Sequence, residues 1–166
     1  MPEQFNVLLE KEQLIFSAAH FITFAGNICE SIHGHNYRVR CEVTGELDEN
    51  GYVVDFIALR DALNTIVRQL DHKVLLPRDS SLIHVSSNDQ EVIVQFEQKR
   101  WIFPEDNCMI LPVANTTAEL LAKFIAQELM KLDDPRLQNA IDEILVAVDE
   151  NEGQWGTYRV PWSTAS

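Results

Sequence analysis

Cysteine is scarce in this chain of 166 residues, and its spacing excludes the structures that depend on it. The three cysteines are Cys29, Cys41 and Cys108. Their odd number and wide separation match neither a disulfide framework nor the paired spacing of a zinc finger. We therefore expect free thiols in a reducing compartment, and a cytoplasmic location.

Basic residues are also few. Lys and Arg together number 13 against 26 Asp and Glu, which gives a formal net charge of −13 at pH 7. A protein that neutralises nucleic-acid phosphates needs a surplus of Lys and Arg on one face, so we expect no nucleic-acid partner. An anionic small molecule stays compatible with this composition, because a single pocket can be positive on an acidic protein.

Long apolar runs are absent as well, which argues against a membrane partner. No stretch approaches the roughly 20 apolar residues that a membrane-spanning helix needs. The amino terminus lacks the basic and then apolar pattern of an export signal. With 46% hydrophobic residues and no internal repeat, residues 1–166 are expected to form a single domain.

The order of the predicted elements favours an antiparallel α+β fold. The sequence predicts strands at about 6–20 (broken at 10–12), 36–47 and 52–54, a helix at 55–70, a hairpin of 91–96 and 101–103, a helix from 116, and strands at 144–150 and 156–160. Because strands and helices do not alternate singly, a parallel α/β fold is disfavoured.

Both predicted helices carry start signals. Asp55 is the expected N-cap of the first helix, whose apolar residues recur at steps of three and four. Thr116 and Glu119 have the spacing of a capping box, which predicts the start of the second helix.

Three histidines near the amino terminus predict a metal site. His33 and His35 are two residues apart, so on a strand both side chains leave the same face, which they share with the apolar residues that follow. His20 ends an apolar run and has the parity of its buried face. Two such strands would bring three neutral imidazoles to one sheltered side. Three protein ligands with an open position are typical of a catalytic zinc.

The alternative is that His33-Gly34-His35 is a turn with two incidental surface histidines. The matching parity of His20 and the nearness of Cys29 favour the metal site.

A carboxylate at the end of an apolar strand face is a second unusual feature. Glu150 has the same parity as Ile144, Val146 and Val148. A charge on a buried face needs a partner, so this pattern indicates a functional contact. The alternative is a surface charge at a strand end.

Taken together, the motifs resemble those of the 6-pyruvoyltetrahydropterin synthase family, and most closely its bacterial 6-carboxytetrahydropterin synthase branch of queuosine (deazaguanine) biosynthesis. The matching segments are FSAAH at 16–20, CxxxHGHNY at 29–37, DF at 55–56, LDH at 70–72, NTTAE at 115–119 and Glu150 eight residues before Tyr158. The three-residue gap between Cys29 and His33 resembles the bacterial carboxy enzymes.

The resemblance implies roles around a zinc ion. The implied Zn²⁺ ligands are His20, His33 and His35. Cys29 would be the general base, because a cation nearby lowers the pKa of a thiol. Packing is the ordinary fate of such a free cysteine.

The resemblance also implies residues for a proton relay and for the substrate pocket. Asp71 and His72 would complete a proton relay, although a capping or surface role explains an isolated Asp-His pair as well. Glu150 would accept hydrogen bonds from the amino group and ring N–H of a pterin. Thr116 and Thr117 would line the pterin pocket.

The resemblance also implies a fold, an assembly and a reaction. Family members have the tunnelling fold (T-fold), an antiparallel sheet with two helices on one face, and form homo-oligomers (trimers or hexamers) with active sites between subunits. The implied activity is a zinc-dependent lyase that converts 7,8-dihydroneopterin triphosphate into 6-carboxy-5,6,7,8-tetrahydropterin, acetaldehyde and triphosphate.

Two departures keep other products open. A hairpin inserted at about 82–112 is absent from the compact bacterial enzymes. Glu30 follows Cys29, and some relatives in folate synthesis have a glutamate in the place of the cysteine. The alternatives are therefore a pyruvoyl or hydroxymethyl product, for biopterin or folate synthesis, and a non-catalytic pterin-binding paralogue. A zinc hydrolase is disfavoured because the chain has no His-Glu-x-x-His helix.

The sequence does not single out the residues that bind the triphosphate. The basic candidates, without ranking, are Arg38, Arg40, Lys73 and Arg78.

Overall fold

The computed structural model describes residues 3–137 and 141–163. Within these ranges the strands form a six-stranded main sheet, a three-stranded sheet and a two-stranded one. The elements are β1 (Phe5–His20), β2 (Thr23–Phe24), β3 (Ile28–Cys29), β4 (His33–Gly45), α1 (Phe56–Leu70), β5 (Lys73–Pro77), β6 (His84–Ser87), β7 (Glu91–Phe96), β8 (Lys99–Pro104), β9 (Cys108–Leu111), α2 (Ala118–Lys131), β10 (Ile141–Asn151) and β11 (Gln154–Pro161). The strand order in the main sheet is β11-β10-β4-β1-β5-β9.

β1 and β4 form a long antiparallel pair that carries the three histidines. Their register pairs His20 with His33 at the end of the ladder and Ala18 with His35 two residues further in. The register shifts between Glu10 and Ile15. The sequence predicted a break at 10–12, but the strand continues through the irregularity as one element.

One face of the main sheet is apolar, and both helices cover it. Alternate residues of β1 and β4 are buried there, among them Phe16 and Tyr37, whose rings stack 4.8 Å apart. The buried residues of α1 and α2 belong to the same core. The predicted α+β class, with two helices on one face, is confirmed.

The two helices begin differently. The Asp55 carboxylate accepts hydrogen bonds from the backbone N–H groups of Ile57 and Ala58, so α1 has the predicted N-cap, a contact that stabilises by about 1 kcal/mol. The N-cap of α2 is Thr117, and its side chain makes no capping bond. The predicted capping box at Thr116 is therefore wrong, because the Thr116 side chain is turned into the protein instead. Neither α1 nor α2 is long and apolar enough to cross a membrane.

Two parallel strands beside β1 were not predicted. β5 pairs in parallel with β1, and β9 pairs in parallel with β5. Both are short apolar runs whose partners lie far away in the sequence, so a local pattern does not distinguish them from loop residues. Residues 52–54, predicted as a strand, form none, and the chain passes from the turn at Gly51 directly towards α1.

The inserted segment is a three-stranded sheet rather than the predicted hairpin. β6, β7 and β8 pair antiparallel, whereas β9 belongs to the main sheet. The buried side of β7 packs into a second core with Phe21 and Cys29. The Phe21 ring stacks on Trp101 of β8, with centroids 4.6 Å apart. Since Phe21 follows His20, this contact anchors the insert beside the predicted metal site.

Candidate metal centre

The three predicted histidines converge. The ring centroids of His20 and His33 are 4.8 Å apart, those of His20 and His35 are 5.3 Å apart, and those of His33 and His35 are 4.7 Å apart. One ligand atom from each histidine and from Glu150 lies within 4.8 Å of all the others. This convergence follows from the register, because residues at i and i+2 on β4 face the end of β1.

Backbone carbonyls orient two of the rings. His20 Nδ1 lies 2.9 Å from the carbonyl oxygen of Thr116, and His33 Nδ1 lies 2.9 Å from that of Ser31. A carbonyl only accepts, so each Nδ1 carries the proton and donates it. The Nε2 lone pair of each ring is therefore left for another partner, which is the usual arrangement around a metal-binding histidine.

Glu150 lies against the same ring atoms. Its Oε1 is 3.0 Å from His35 Nε2 and 3.4 Å from His20 Nε2. A register shift between Asp149 and Asn151 accompanies this turn of the carboxylate towards the histidines. The sequence analysis predicted that a charge on this face of the strand needs a partner, and the histidines are that partner.

These donors fit a divalent metal such as Zn²⁺. His20 is fully buried, and the Nε2 atoms of His20 and His35 make no hydrogen bond to the described residues. The Glu150 carboxylate lies near both nitrogens but makes no hydrogen bond to either, and a metal ion would satisfy these buried polar atoms. Burial also lowers the pKa of His20, which favours the neutral ring that binds metals. Glu150 could supply a fourth ligand.

Tyr37 forms a wall of this site that the sequence analysis did not single out. Its ring meets His20 edge-on at 5.8 Å and His35 at 5.5 Å. The hydroxyl is buried and has no hydrogen-bond partner among the described residues. Burial raises the pKa of the phenol, so this group stays protonated. Its parity with His35 on β4 was the signal available in the sequence.

Cys29 and Glu30 point in different directions. Cys29 is only 7% exposed and packs in the second core. The pKa of its thiol is raised, mainly because the thiol is buried. The positive charge of Lys99 opposes this shift, and the negative charge of Glu30 adds to it. By contrast, Glu30 Oε1 lies 3.8 Å from His33 Nε2 and accepts a hydrogen bond of 2.8 Å from the Ile22 N–H. Of the two adjacent residues, Glu30 is the one that faces the histidines.

Asp71 and His72 form a pair at the end of α1. Asp71 Oδ2 lies 2.9 Å from His72 Nδ1, and Asp71 Oδ1 accepts a hydrogen bond of 2.8 Å from the Ser17 N–H. This backbone hydrogen bond lowers the pKa of Asp71. His72 has a positive φ of 59° and an 82% exposed side chain. It lines an open cleft of about 490 Å³ together with His35. Asp71 and His72 therefore contact each other, as a relay would require, but the imidazole is largely exposed.

Of the two threonines, Thr116 is the one that contacts His20. Thr116 is fully buried, and its Oγ1 is 3.3 Å from His20 Nδ1, beside the carbonyl that accepts the ring N–H. Thr117 is half-buried at the start of α2. The preceding Asn115 holds this segment to β2, since its amide donates to the Thr23 carbonyl at 2.9 Å.

Two of the predicted phosphate candidates have other partners. Arg38 forms an ion pair with Asp149, whose side chain is 1% exposed. The guanidinium of Arg40 lies over the ring of Trp155, 4.3 Å from its centroid. Both therefore have structural roles on the β4–β10–β11 side of the sheet.

The other two candidates are also engaged. Lys73 donates a hydrogen bond to the carbonyl of Asp106. Arg78 pairs with Asp79 through its Nε at 2.8 Å from Oδ1.

The fold and the cluster define a T-fold protein with a three-histidine candidate metal centre. The sequence model of the 6-pyruvoyl tetrahydropterin synthase family matches residues 9–161. The chain belongs to this family, which the motifs had indicated, and the family indicates a lyase.

Relatives and solved structures agree with this assignment. The chain is 34% identical over 151 residues to the putative 6-carboxy-5,6,7,8-tetrahydropterin synthase of Methanocaldococcus jannaschii, with 88% of this chain and 90% of the relative covered. It is 32% identical to a protein of the same name from Pyrococcus horikoshii, over 69% of this chain and 68% of the relative. The crystal structure of 6-pyruvoyl tetrahydropterin synthase from Plasmodium vivax superimposes with a TM-score of 0.89 at 28% identity, over 96% of this chain and 99% of that one. That protein has also been solved with a catalytic glutamate replaced by alanine or by cysteine.

Proposed function

We propose that this chain is a zinc-dependent lyase that converts 7,8-dihydroneopterin triphosphate, with uptake of water, into 6-carboxy-5,6,7,8-tetrahydropterin, acetaldehyde and triphosphate. The observation that carries this proposal is the convergence of three imidazoles and one carboxylate within 4.8 Å in a chain of the tetrahydropterin synthase family. The name of the Methanocaldococcus jannaschii relative supports the carboxy product, and with it a role in queuosine biosynthesis.

The imidazoles are the proposed metal ligands. His20, His33 and His35 would hold Zn²⁺ through Nε2, since the Nδ1 atoms of His20 and His33 are occupied by carbonyl contacts. A bound Zn²⁺ supplies Lewis-acid stabilisation of negative charge on a substrate oxygen. Glu150 would accept hydrogen bonds from the pterin amino group and ring N–H. Thr116 and Thr117 would line the pterin pocket.

Cys29 is the proposed general base for this product. Its position next to Glu30 and four residues before His33 supports a role in removing a side-chain proton from the substrate. Its burial opposes formation of the thiolate, while the positive charge of Lys99 favours it. Asp71 would orient His72 in a proton relay.

An oligomer is part of the proposal. His72 is largely exposed in the single chain, and the active sites of the family are expected between subunits. A homotrimer or hexamer in the cytoplasm would give this imidazole a second chain to contact.

A second candidate function has Glu30 as the base. The carboxylate lies 3.8 Å from His33 Nε2, whereas the Cys29 thiol packs in an apolar core. The 28% identical Plasmodium vivax protein, a 6-pyruvoyl tetrahydropterin synthase, has a catalytic glutamate. These observations favour a 6-hydroxymethyl or 6-pyruvoyl product, for folate or biopterin synthesis.

Product identification separates the two candidates. Zinc-loaded wild type is incubated with 7,8-dihydroneopterin triphosphate, and the pterin product is identified by mass. The proposal expects 6-carboxytetrahydropterin, with Cys29→Ala retaining zinc and losing turnover while the control Cys108→Ala stays active. A 6-hydroxymethyl or 6-pyruvoyl product that Glu30→Gln abolishes, and the exposed-site control Glu49→Gln does not, would replace it with the second candidate. Binding of the metal without turnover of any dihydropterin would indicate a non-catalytic pterin-binding paralogue.

A further inference from the structure

A cleft with two exposed cations opens beside the candidate metal centre. It has a volume of about 400 Å³ and is lined by Glu30, Ser31, Ile32, Lys99, Arg100 and Trp101. Glu30 joins the cleft to the histidines, because its Oε1 is 3.8 Å from His33 Nε2. A ligand at the metal centre could therefore extend into this cleft without passing through the core.

The three-stranded insert determines where Lys99 lies, and Arg100 follows it at the edge of the cleft. In the β7–β8 ladder, Lys99 is opposite Phe96 and Trp101 is opposite Val94, so Lys99 and Trp101 share one face. The stack of Trp101 on Phe21 holds that face next to the end of β1.

Lys99 and Arg100 differ from the other basic residues near the site. Both are exposed, and neither forms an ion pair or a side-chain hydrogen bond with any residue that the structure describes. The four candidates from the sequence each have a carboxylate, a carbonyl or an aromatic ring as partner. Two adjacent cations with no partner in the described part of the chain are an unusual feature at a formal net charge of −13.

We infer that Lys99 and Arg100 form the subsite for the polyphosphate group of the substrate, an inference that rests on the proposed function. The phosphates of a dihydroneopterin triphosphate are attached to the end of the side chain whose inner hydroxyls would face the metal centre. The cleft begins at Glu30, beside that centre, and its cations lie on the insert. A guanidinium binds phosphate through paired N–H groups, and the ammonium adds a compact charge.

The cleft also contains an opposing charge. Glu30 is the acidic residue among those that line it, and its Oε1 is held by the N–H of Ile22. The subsite is therefore positive at its outer part and negative at the inner end, which orients a ligand with its anionic group away from the metal centre.

Binding of fully oxidised pterins, used in place of the dihydropterin substrate, tests this subsite independently of catalytic turnover. Affinities of neopterin triphosphate and of neopterin for the zinc-loaded protein are measured by pterin fluorescence for wild type, Lys99→Ala/Arg100→Ala and a charge-matched control, Lys11→Ala/Arg68→Ala. The control residues are exposed and lie on β1 and α1. Loss of two charged hydrogen-bonding partners is expected to weaken neopterin triphosphate binding by about 10- to 100-fold, with neopterin unchanged. The control should match wild type for both ligands.

The outcomes distinguish the inference from the proposed function. If the wild type binds neopterin but binds its triphosphate no more tightly, or if the double variant weakens both ligands equally, the subsite is refuted while the pterin site stands. If the wild type binds neither compound, the proposed function fails and the subsite with it. Melting temperatures of all variants are compared, and the exposed positions are expected to leave them unchanged.

Discussion

Gly156 is a position where a change in packing is expected to disturb the candidate metal centre. It lies on β11 beneath the first turn of α2. A Cβ added at Gly156 would be 2.5 Å from the backbone nitrogen of Glu119, 2.6 Å from the carbonyl carbon of Ala118 and 2.7 Å from the Ala118 Cβ. Two of these atoms are backbone, so no side-chain rotation relieves the overlap. Restoring contacts of about 3.5 Å requires the start of α2 to move by about 1 Å.

The magnitude of the effect follows from this displacement. Overpacking of a well-packed interior costs about 1–3 kcal/mol, and a backbone overlap belongs at the upper end, so Gly156→Ala is expected to lose about 3 kcal/mol of unfolding free energy. For a domain of this size that corresponds to a fall in melting temperature of about 6–12 °C. The segment that moves follows Thr116, whose carbonyl accepts the His20 ring N–H. Loss of such a supporting contact is expected to weaken Zn²⁺ binding by about tenfold or more.

Thermal unfolding followed by circular dichroism, and competition for Zn²⁺ with a chromogenic chelator, measure the two effects. Gly51→Ala is the matched control, because its Cβ would meet nothing within 4 Å and only its φ of +81° is strained. That strain costs about 1 kcal/mol and lies far from the histidines. A melting temperature for Gly156→Ala equal to that of the control, or unchanged Zn²⁺ affinity despite a destabilised fold, would refute the reasoning.

Three further changes test other parts of the structure. His20→Ala is expected to abolish stoichiometric Zn²⁺ binding in elemental analysis, whereas the control His84→Ala, at an exposed position on β6, should retain the metal. Retention of the metal in His20→Ala would contradict the proposed ligand set. Arg38→Ala leaves the buried Asp149 carboxylate without its cation and is expected to cost about 3 kcal/mol in urea unfolding; a loss below about 1 kcal/mol would show that the pair contributes little. The backbone hydrogen bond that lowers the pKa of Asp71 stabilises the fold above the unfolded pKa of about 3.9, and this contribution is lost as the pH falls through the folded pKa. Asp71→Asn should therefore be less stable than wild type at neutral pH, with the difference closing below about pH 4, whereas a pH-independent difference would count against this interpretation.

Local sequence patterns were sufficient to predict the strands with alternating apolar residues and the helix that has an N-cap close in sequence. The period of two on β1 and β4 predicted which face was buried, and with it that His20, His33 and His35 share a side. The Asp55 cap and the apolar stripe of α1 were predicted for the same reason, since both depend on residues within one or two turns. Phe56, at the start of that stripe, is nevertheless exposed.

Local patterns failed where partners are distant in sequence. Thr116 and Glu119 satisfy the spacing of a capping box, but a contact of Thr116 with His20, 96 residues away, determines its position instead. The parallel strands β5 and β9 likewise depend on pairing across the insert. In the same way, the family motif favoured Cys29 as the base and left Glu30 as the alternative, and only the tertiary structure shows the thiol packed against the insert while Glu30 faces His33.

The candidate donors could be identified from local sequence, as three histidines with matching parity and a carboxylate on an apolar strand, with the family motifs around them. Which of their atoms come together depends on the folded chain, because the register of β1 on β4 and of β10 on β4 sets the distances between residues far apart in the sequence. Folding also leaves two cations of the insert, rather than the four basic candidates on and beside the main sheet, without partners among residues 3–137 and 141–163. A charge is available for a ligand only when folding leaves it unpaired, and that depends on every neighbour the fold brings to it.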